Sequence, residues 1–105
     1  MELNGYIERQ IAFSRETFGP GKRTGGVLEH IRKELKEIEA KPDDITEWSD
    51  LLILALDGAW RQGFTAVEIC AALQAKQDVN RARQWPDWRE VSEDSAIEHI
   101  RSADD

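Results

Sequence analysis

The stretch E-L-K-E-I-E-A-K-P-D-D-I-T-E-W-S-D-L-L-I-L-A-L-D, residues 34–57, decides the fold of this chain. It contains two copies of an acid-x-x-acid spacing, with a turn predicted at residues 41–43 between them. The two copies are Glu34/Glu37 and Glu47/Asp50. Residues three apart on a helix lie on one face, about 5 to 6 Å from each other. Because two helices joined by a short turn lie antiparallel, the stretch predicts four carboxylates that face one point.

The predicted helix that carries Glu47 and Asp50 indicates that these acids line a site. From Trp48 to Trp60 apolar residues surround most of the helix, which is typical of a buried helix. Glu47, Asp50 and Asp57 share the one polar stripe, and Arg61 lies beyond it. Carboxylates on a buried helix are costly unless they are paired or bind metal. Carboxylate oxygens suit Mg²⁺ or Mn²⁺, and Mg²⁺ commonly bridges carboxylates to phosphates, so the pattern predicts a site for either ion.

Length, charge and cysteine content narrow the class of protein. The chain has 105 residues, enough for a single core, and a net charge of -7. This charge argues against binding to nucleic acid or to an anionic membrane, so a phosphate ligand would require a cation. The one cysteine, Cys70, excludes an internal disulfide. No apolar run is long enough to span a membrane, and we expect a cytoplasmic protein.

Apolar spacing and helix breakers predict an all-α fold, an antiparallel bundle of about four main helices that oligomerisation completes. The predicted helices span residues 4–17 and 26–40, then from an aspartate N-cap at 43–44 to about 62, and from 65 until Pro86 ends the fourth. In the second helix the expected core stripe is Leu28, Ile31, Leu35 and Ile38. The domain is expected over 1–89, followed by a tail, 90–105, in which residues 92–102 can form a short helix. The glycine-rich loop 19–26 is either a segment that closes over a charged ligand or an ordinary connection.

Three further features have both a functional and a structural interpretation. The inward face of the fourth helix changes from apolar to polar, which indicates either phosphate contacts or an exposed helix end. Its polar members are Lys76, Asn80 and Arg83. Trp85 lies either near a nucleobase or over an open end of the bundle. His30, one turn before Glu34, either contacts a ligand, orients Glu34 or is purely structural.

The two acid pairs resemble the E-x-x-E...E-x-x-D signature of the all-α, MazG-like nucleoside triphosphate pyrophosphohydrolases. Three longer segments resemble the dATP/dGTP diphosphohydrolase branch of that superfamily, which includes the phage MazZ type. They are H-I-R-K-E-L-K-E-I-E, E-W-S-D-L-L-I-L-A-L-D-G-A-W-R-Q-G and K-Q-D-V-N-R-A-R-Q-W-P-D-W-R. The resemblance extends over about residues 18–89.

This resemblance implies hydrolysis of a purine dNTP, dGTP or dATP, to dNMP and pyrophosphate by a homodimer or homotetramer. The implied catalytic and metal-binding residues are Glu34, Glu37, Glu47 and Asp50, with Mg²⁺ or Mn²⁺ as cofactor. The implied substrate-binding residues are Lys76, Asn80 and Arg83, to which we add Asp57, Arg61, His30 and Trp85. Two alternatives stay open. One is a non-catalytic helical interaction module, and the other is the same fold acting on dUTP or a phosphoribosyl nucleotide.

Overall fold

The computed structural model describes residues 1–101, and every regular element in that range is helical. Four long helices follow one another, and a single 3-10 turn lies after them, at Trp88–Glu90. The helices are α1 Leu3–Phe18, α2 Thr24–Ala40, α3 Ile45–Arg61 and α4 Ala66–Ala82. The prediction of an all-α chain with four main helices is confirmed. The chain divides into two compact units, Met1–Ala71 and the part that begins at Ala72.

Local capping sets the limits of the helices. The predicted aspartate N-cap of α3 is confirmed, because the Asp44 side chain accepts hydrogen bonds from the backbone N–H and the hydroxyl of Thr46. The predicted capping box at the start of α4 is confirmed. The Thr65 N–H donates to Glu68, and the Glu68 N–H donates to the Thr65 hydroxyl. Gly63, at φ 105°, follows the end of α3.

The core of the first unit joins α1 to the end of α3 and the start of α4. Its buried residues are Ile7, Trp60, Ala66 and Ile69, and Cys70 packs beside them. Cys70 therefore behaves as a small hydrophobic residue at the edge of the core.

The expected core stripe of α2 is confirmed at Ile38, is half-buried at Ile31 and is wrong at Leu28 and Leu35. The buried residues of this helix are Val27, Glu34 and Ile38, whereas Leu28 and Leu35 are 43% and 46% exposed. Val27 and Glu34, each one position before an expected leucine, are buried instead, and Glu34 meets the carboxylates of α3 as its flanking position predicted.

The expectation that α3 is buried was also wrong for the single chain. Only Trp60 and Arg61 are buried in this helix, and Leu52 is 65% exposed. Helices α1 and α2 pack on one side of α3, so the apolar residues on its other side stay uncovered.

The second unit contains the end of α4 and the 3-10 turn. Residues 92–101 contain turns and irregular backbone without a helix, so the helix expected over 92–102 is wrong for these residues, and residue 102 lies outside the described range. The Ile100 N–H donates to the Gln84 carbonyl, and the His99 ring meets the Trp85 ring edge to face at 6.0 Å. These contacts fold the tail back within the unit. The division into residues 1–89 and 90–105 stays a prediction.

Candidate metal centre

Four carboxylates converge where α2 ends and α3 begins. Helix α2 contributes one pair, the turn at residues 41–44 reverses the chain, and α3 contributes the other pair. One oxygen from each side chain lies within 4.8 Å of the others. These residues, Glu34, Glu37, Glu47 and Asp50, are called the acidic cluster below. The predicted convergence of the two acid pairs is observed.

The acidic cluster has more negative charge than its surroundings balance. Glu34 is only 6% exposed, and one oxygen each of Glu34 and Glu47 is buried without a hydrogen-bond partner in the described chain. Burial raises the pKa of Glu34, and the neighbouring Glu37 raises it further. Burial and Glu37 likewise raise the pKa of Glu47. Because buried polar atoms normally have partners, these unpaired oxygens fit a divalent cation with oxygen ligands.

The His30 side chain lies beside the acidic cluster. Its Nε2 lies 3.3 Å from Glu34 Oε1, and its charge opposes the rise in the pKa of Glu34. The ring is 57% exposed. The contact fits orientation of Glu34, and a role of His30 in ligand binding stays a prediction.

A cavity of about 500 Å³ begins at Glu34 and Asp50 and lies between α1, α2 and α3. Its volume lies within the usual range for small-molecule sites. The α1 residues that line it are Gln10, Phe13, Ser14 and Phe18. Sequence reasoning missed all four, because the apolar spacing of α1 indicated packing alone. The usable signal was a pair of polar residues, Gln10 and Ser14, one turn apart on the inner face.

Asp57 lies two turns beyond Asp50 on α3 and faces the same cavity, with partners for both oxygens. Oδ1 accepts from the Ser14 hydroxyl and the Trp60 indole N–H, and Oδ2 accepts from Arg61 Nε at 2.8 Å. Burial alone would raise the pKa of Asp57, but hydrogen bonds from Ser14, Arg61 and Trp60 outweigh it and lower the pKa. We call Ser14, Asp57, Trp60 and Arg61 the arginine cluster.

Arg61 fixes the loop between α1 and α2. Its side chain is 1% exposed, and Nη1 donates to the carbonyls of Gly19 at 3.0 Å and Gly21 at 3.1 Å. The guanidinium also lies over the Trp60 ring, 4.6 Å from its centroid. All these contacts are internal, so they indicate a supporting role for Asp57 and Arg61. Direct substrate contact by these two residues stays a prediction.

The remaining predicted site residues belong to the second unit. Asn80 Oδ1 accepts from Arg83 Nη1 at 3.2 Å, and the Asn80 carbonyl accepts from the Trp85 indole N–H at 2.8 Å. Lys76 is exposed and forms no ion pair within residues 1–101. The substrate contacts expected of these four residues stay predictions.

Over residues 1–101 the fold is all-helical, and four carboxylates that could hold a divalent cation lie beside a cavity of about 500 Å³. Residues 6–105 match the model of the dATP/dGTP pyrophosphohydrolase family, and the chain belongs to this family. It is 33% identical over 100 residues to the dATP/dGTP diphosphohydrolase of cyanophage S-2L, covering 93% of this chain and 89% of the relative. The predicted family and enzyme class are confirmed.

Two other comparisons extend this result. The cyanophage S-2L MazG-like pyrophosphohydrolase bound to dGDP and three catalytic Mn²⁺ ions per active site has a similar structure, with a TM-score of 0.74 at 28% identity. That match covers 98% of this chain and 97% of the other. A shorter match, 38% identical over 48 residues, is to the Eaa protein of Salmonella phage P22 and covers 46% of this chain but 15% of that protein. Among the described residues no helix is long and apolar enough to cross a membrane.

Proposed function

We propose that this chain hydrolyses purine dNTPs, dGTP or dATP, to dNMP and pyrophosphate at the acidic cluster with Mg²⁺ or Mn²⁺. The observation that carries the proposal is four carboxylates with one oxygen each within 4.8 Å of the others. Two of them have a buried oxygen without a partner in the part of the chain that the structure describes. Membership of the dATP/dGTP pyrophosphohydrolase family supports it, as does the similar structure that contains dGDP and Mn²⁺.

The acidic cluster supplies the ligands for this chemistry. When bound, Mg²⁺ or Mn²⁺ neutralises phosphate charge and activates water. In the reaction one water oxygen bonds to phosphorus, and the P–O–P bridge between the α and β phosphates breaks, which releases pyrophosphate. A glutamate of the cluster orients the water and takes its proton. The contact with His30 holds the Glu34 carboxylate in place.

The polar face of α4 is proposed to bind the phosphates that leave. Lys76, Asn80 and Arg83 provide two cations and an amide for this purpose. The substrate contact of Trp85 stays a prediction of the sequence alone. We expect Lys76→Ala to lower kcat more than it lowers metal affinity, because a phosphate contact stabilises charge in the transition state. Equal losses of both would assign Lys76 to the metal site instead.

A homodimer or homotetramer is proposed to cover the outer face of α2 and α3. Leu28, Leu35, Trp48 and Leu52 on these two helices are each at least 43% exposed, and large contiguous apolar patches are rare on monomers. Sedimentation at several concentrations tests this proposal. Leu52→Glu should give monomers, whereas Val67→Glu, on the exposed side of α4, should leave the assembly intact. The net charge of -7 supports a nucleotide over a nucleic acid as partner.

The decisive experiment is a panel of the common dNTPs and NTPs with Mg²⁺ or Mn²⁺, with products resolved by anion exchange. We expect monophosphate and pyrophosphate from a purine dNTP. Glu37→Gln should lose at least about 100-fold, the upper range for residues that only support metal ligands. Inclusion of dUTP and a phosphoribosyl nucleotide tests the other substrates that the fold allows. A wild-type protein that leaves every nucleotide intact would favour the interaction module.

A further inference from the structure

The cavity beside the acidic cluster has two chemically different ends. Its α2 lining runs from Glu34 through His30 and Val27 to Arg23, about three turns or roughly 16 Å along the helix. Helix α3 is antiparallel to α2. This direction is evident from Gln62, after the end of α3, which donates to the Thr24 hydroxyl at the start of α2. One end of the cavity is therefore anionic, and the other is formed where α1 ends and α2 begins.

Aromatic rings and a cation form this second end. Phe13 and Phe18 are 55% and 60% exposed and meet edge to face, with ring centroids 6.1 Å apart. Arg23 lines the cavity beside them and forms no ion pair within residues 1–101. Arg61 and Asp57 also reach this end, but their polar atoms already bind each other and the loop. Arg23 is thus the charged group at this end with donors left for a ligand.

The backbone of Arg23 adopts a left-handed conformation that is unfavourable for a residue with a side chain. At φ 46° it is the one non-glycine residue with positive φ in the described range. The neighbouring positive-φ positions, 19 and 21, are glycines, which adopt this conformation without steric cost. A glycine at position 23 would suit the backbone better. Strain of this kind is common where a side chain serves a ligand.

We propose that Arg23 binds the base of the purine dNTP and favours guanine over adenine, an inference that rests on the proposed function. With the phosphates at the acidic cluster, the nucleoside extends along the cavity towards Phe13, Phe18 and Arg23. Guanine offers two adjacent acceptors, O6 and N7, which match two N–H donors of a guanidinium. Adenine offers N7 and an amino donor, and a guanidinium has no acceptor for the latter.

The test compares kcat/KM for dGTP and dATP in wild-type protein, Arg23→Gly and Lys22→Gly. In Arg23→Gly the dGTP:dATP ratio should fall at least about fivefold, the lower end for one bidentate base contact. Lys22, a neighbouring cation outside the cavity lining, should leave the ratio unchanged when replaced. With 7-deaza-dGTP, which lacks N7, the wild type should lose activity and Arg23→Gly should lose little more.

Thermal unfolding provides a readout independent of turnover. Arg23→Gly should keep or raise the melting temperature, because glycine relieves the backbone strain. An unchanged dGTP:dATP ratio, or an equal loss for both nucleotides, would overturn base recognition by Arg23. A wild type that hydrolyses no dNTP would overturn the proposed function itself, and base recognition with it, so the two failures are distinguishable.

Discussion

Helix α3 places carboxylates in two clusters two turns apart, and the protein treats them in opposite ways. In the arginine cluster both oxygens of Asp57 have hydrogen-bond partners, and one of these partners is the guanidinium of Arg61. The pKa of Asp57 is lowered. In the acidic cluster four carboxylates meet, two of their oxygens have no hydrogen-bond partner among residues 1–101, and the pKa values of Glu34 and Glu47 are raised. The difference teaches that a buried carboxylate is structural where the chain supplies the cation. It becomes a ligand where solution must supply the cation.

The largest expected effect is the loss of folding stability when Arg61, the cation of the arginine cluster, is replaced. Arg61→Met leaves the Asp57 charge without its partner and releases the Gly19 and Gly21 carbonyls. Breaking a buried pair in this way costs about 3 to 5 kcal/mol, a large share of the stability of a small domain. Urea unfolding measures the loss. The matched control is Arg81→Met, whose exposed pair with Asp78 spans 3.8 Å and should cost less than about 1 kcal/mol. If both variants lost the same stability, the buried Arg61–Asp57 pair would be worth no more than an exposed ion pair.

The second effect concerns the cation from solution. A metal that binds only the folded protein, at about 100 times its Kd, stabilises it enough to raise the melting temperature by roughly 10 °C. We expect Mn²⁺ or Mg²⁺ to do so in wild-type protein and to do much less in Glu37→Gln. NaCl at matched ionic strength separates specific metal binding from screening. An absent shift at millimolar Mn²⁺ would contradict a preformed site.

The acidic cluster was predictable from sequence because its geometry is local. Two acid pairs with helical spacing and a short turn at Pro42 suffice to bring the carboxylates together. The four helices were predictable for the same reason, since apolar spacing, Pro and Gly, and the Thr65–Glu68 capping box act over a few residues.

The arginine cluster and the cavity were not predictable, because they depend on contacts between distant parts of the chain. Arg61 meets Ser14 and the Gly19 carbonyl across more than 40 residues of sequence. The predicted stripe of α2 was wrong at Leu28 and Leu35, where Val27 and Glu34 are buried instead. A hydrophobic pattern assigns such a position to an apolar side chain. In both cases a charged side chain is buried beside residues of another helix. The hydrophobic periodicity of a helix contains no information about such contacts.

The third effect is the removal of one charge from the acidic cluster. Glu37 raises the pKa values of both Glu34 and Glu47, so Glu37→Gln relieves repulsion in the metal-free protein. We expect its melting temperature in chelating buffer to equal or exceed that of the wild type by a few degrees. Glu39→Gln, on the exposed side of α2, is the control and should have little effect. A marked loss of metal-free stability in Glu37→Gln would make this residue a structural partner.

The smallest effect is the pH dependence, in which the two clusters have opposite signs. The lowered pKa of Asp57 gives stability that is present above its ordinary value, about 4, and lost as the pH falls through the folded-state pKa. The raised pKa values of Glu34 and Glu47 act the other way. The metal-free protein loses stability as the pH rises above about 4.5, until both groups are ionised.

Melting temperatures between pH 3 and 8 in chelating buffer separate these two contributions. Asp57→Asn should be less stable throughout but flatter on the acid side, because its titrating group is gone. Mn²⁺ or Glu37→Gln should flatten the neutral side, since each reduces the repulsion among the carboxylates. If the metal-free wild type instead became steadily more stable from pH 5 to pH 7, the acidic cluster would have internal cations after all. The acidic cluster and the arginine cluster would then differ only in how exposed their carboxylates are.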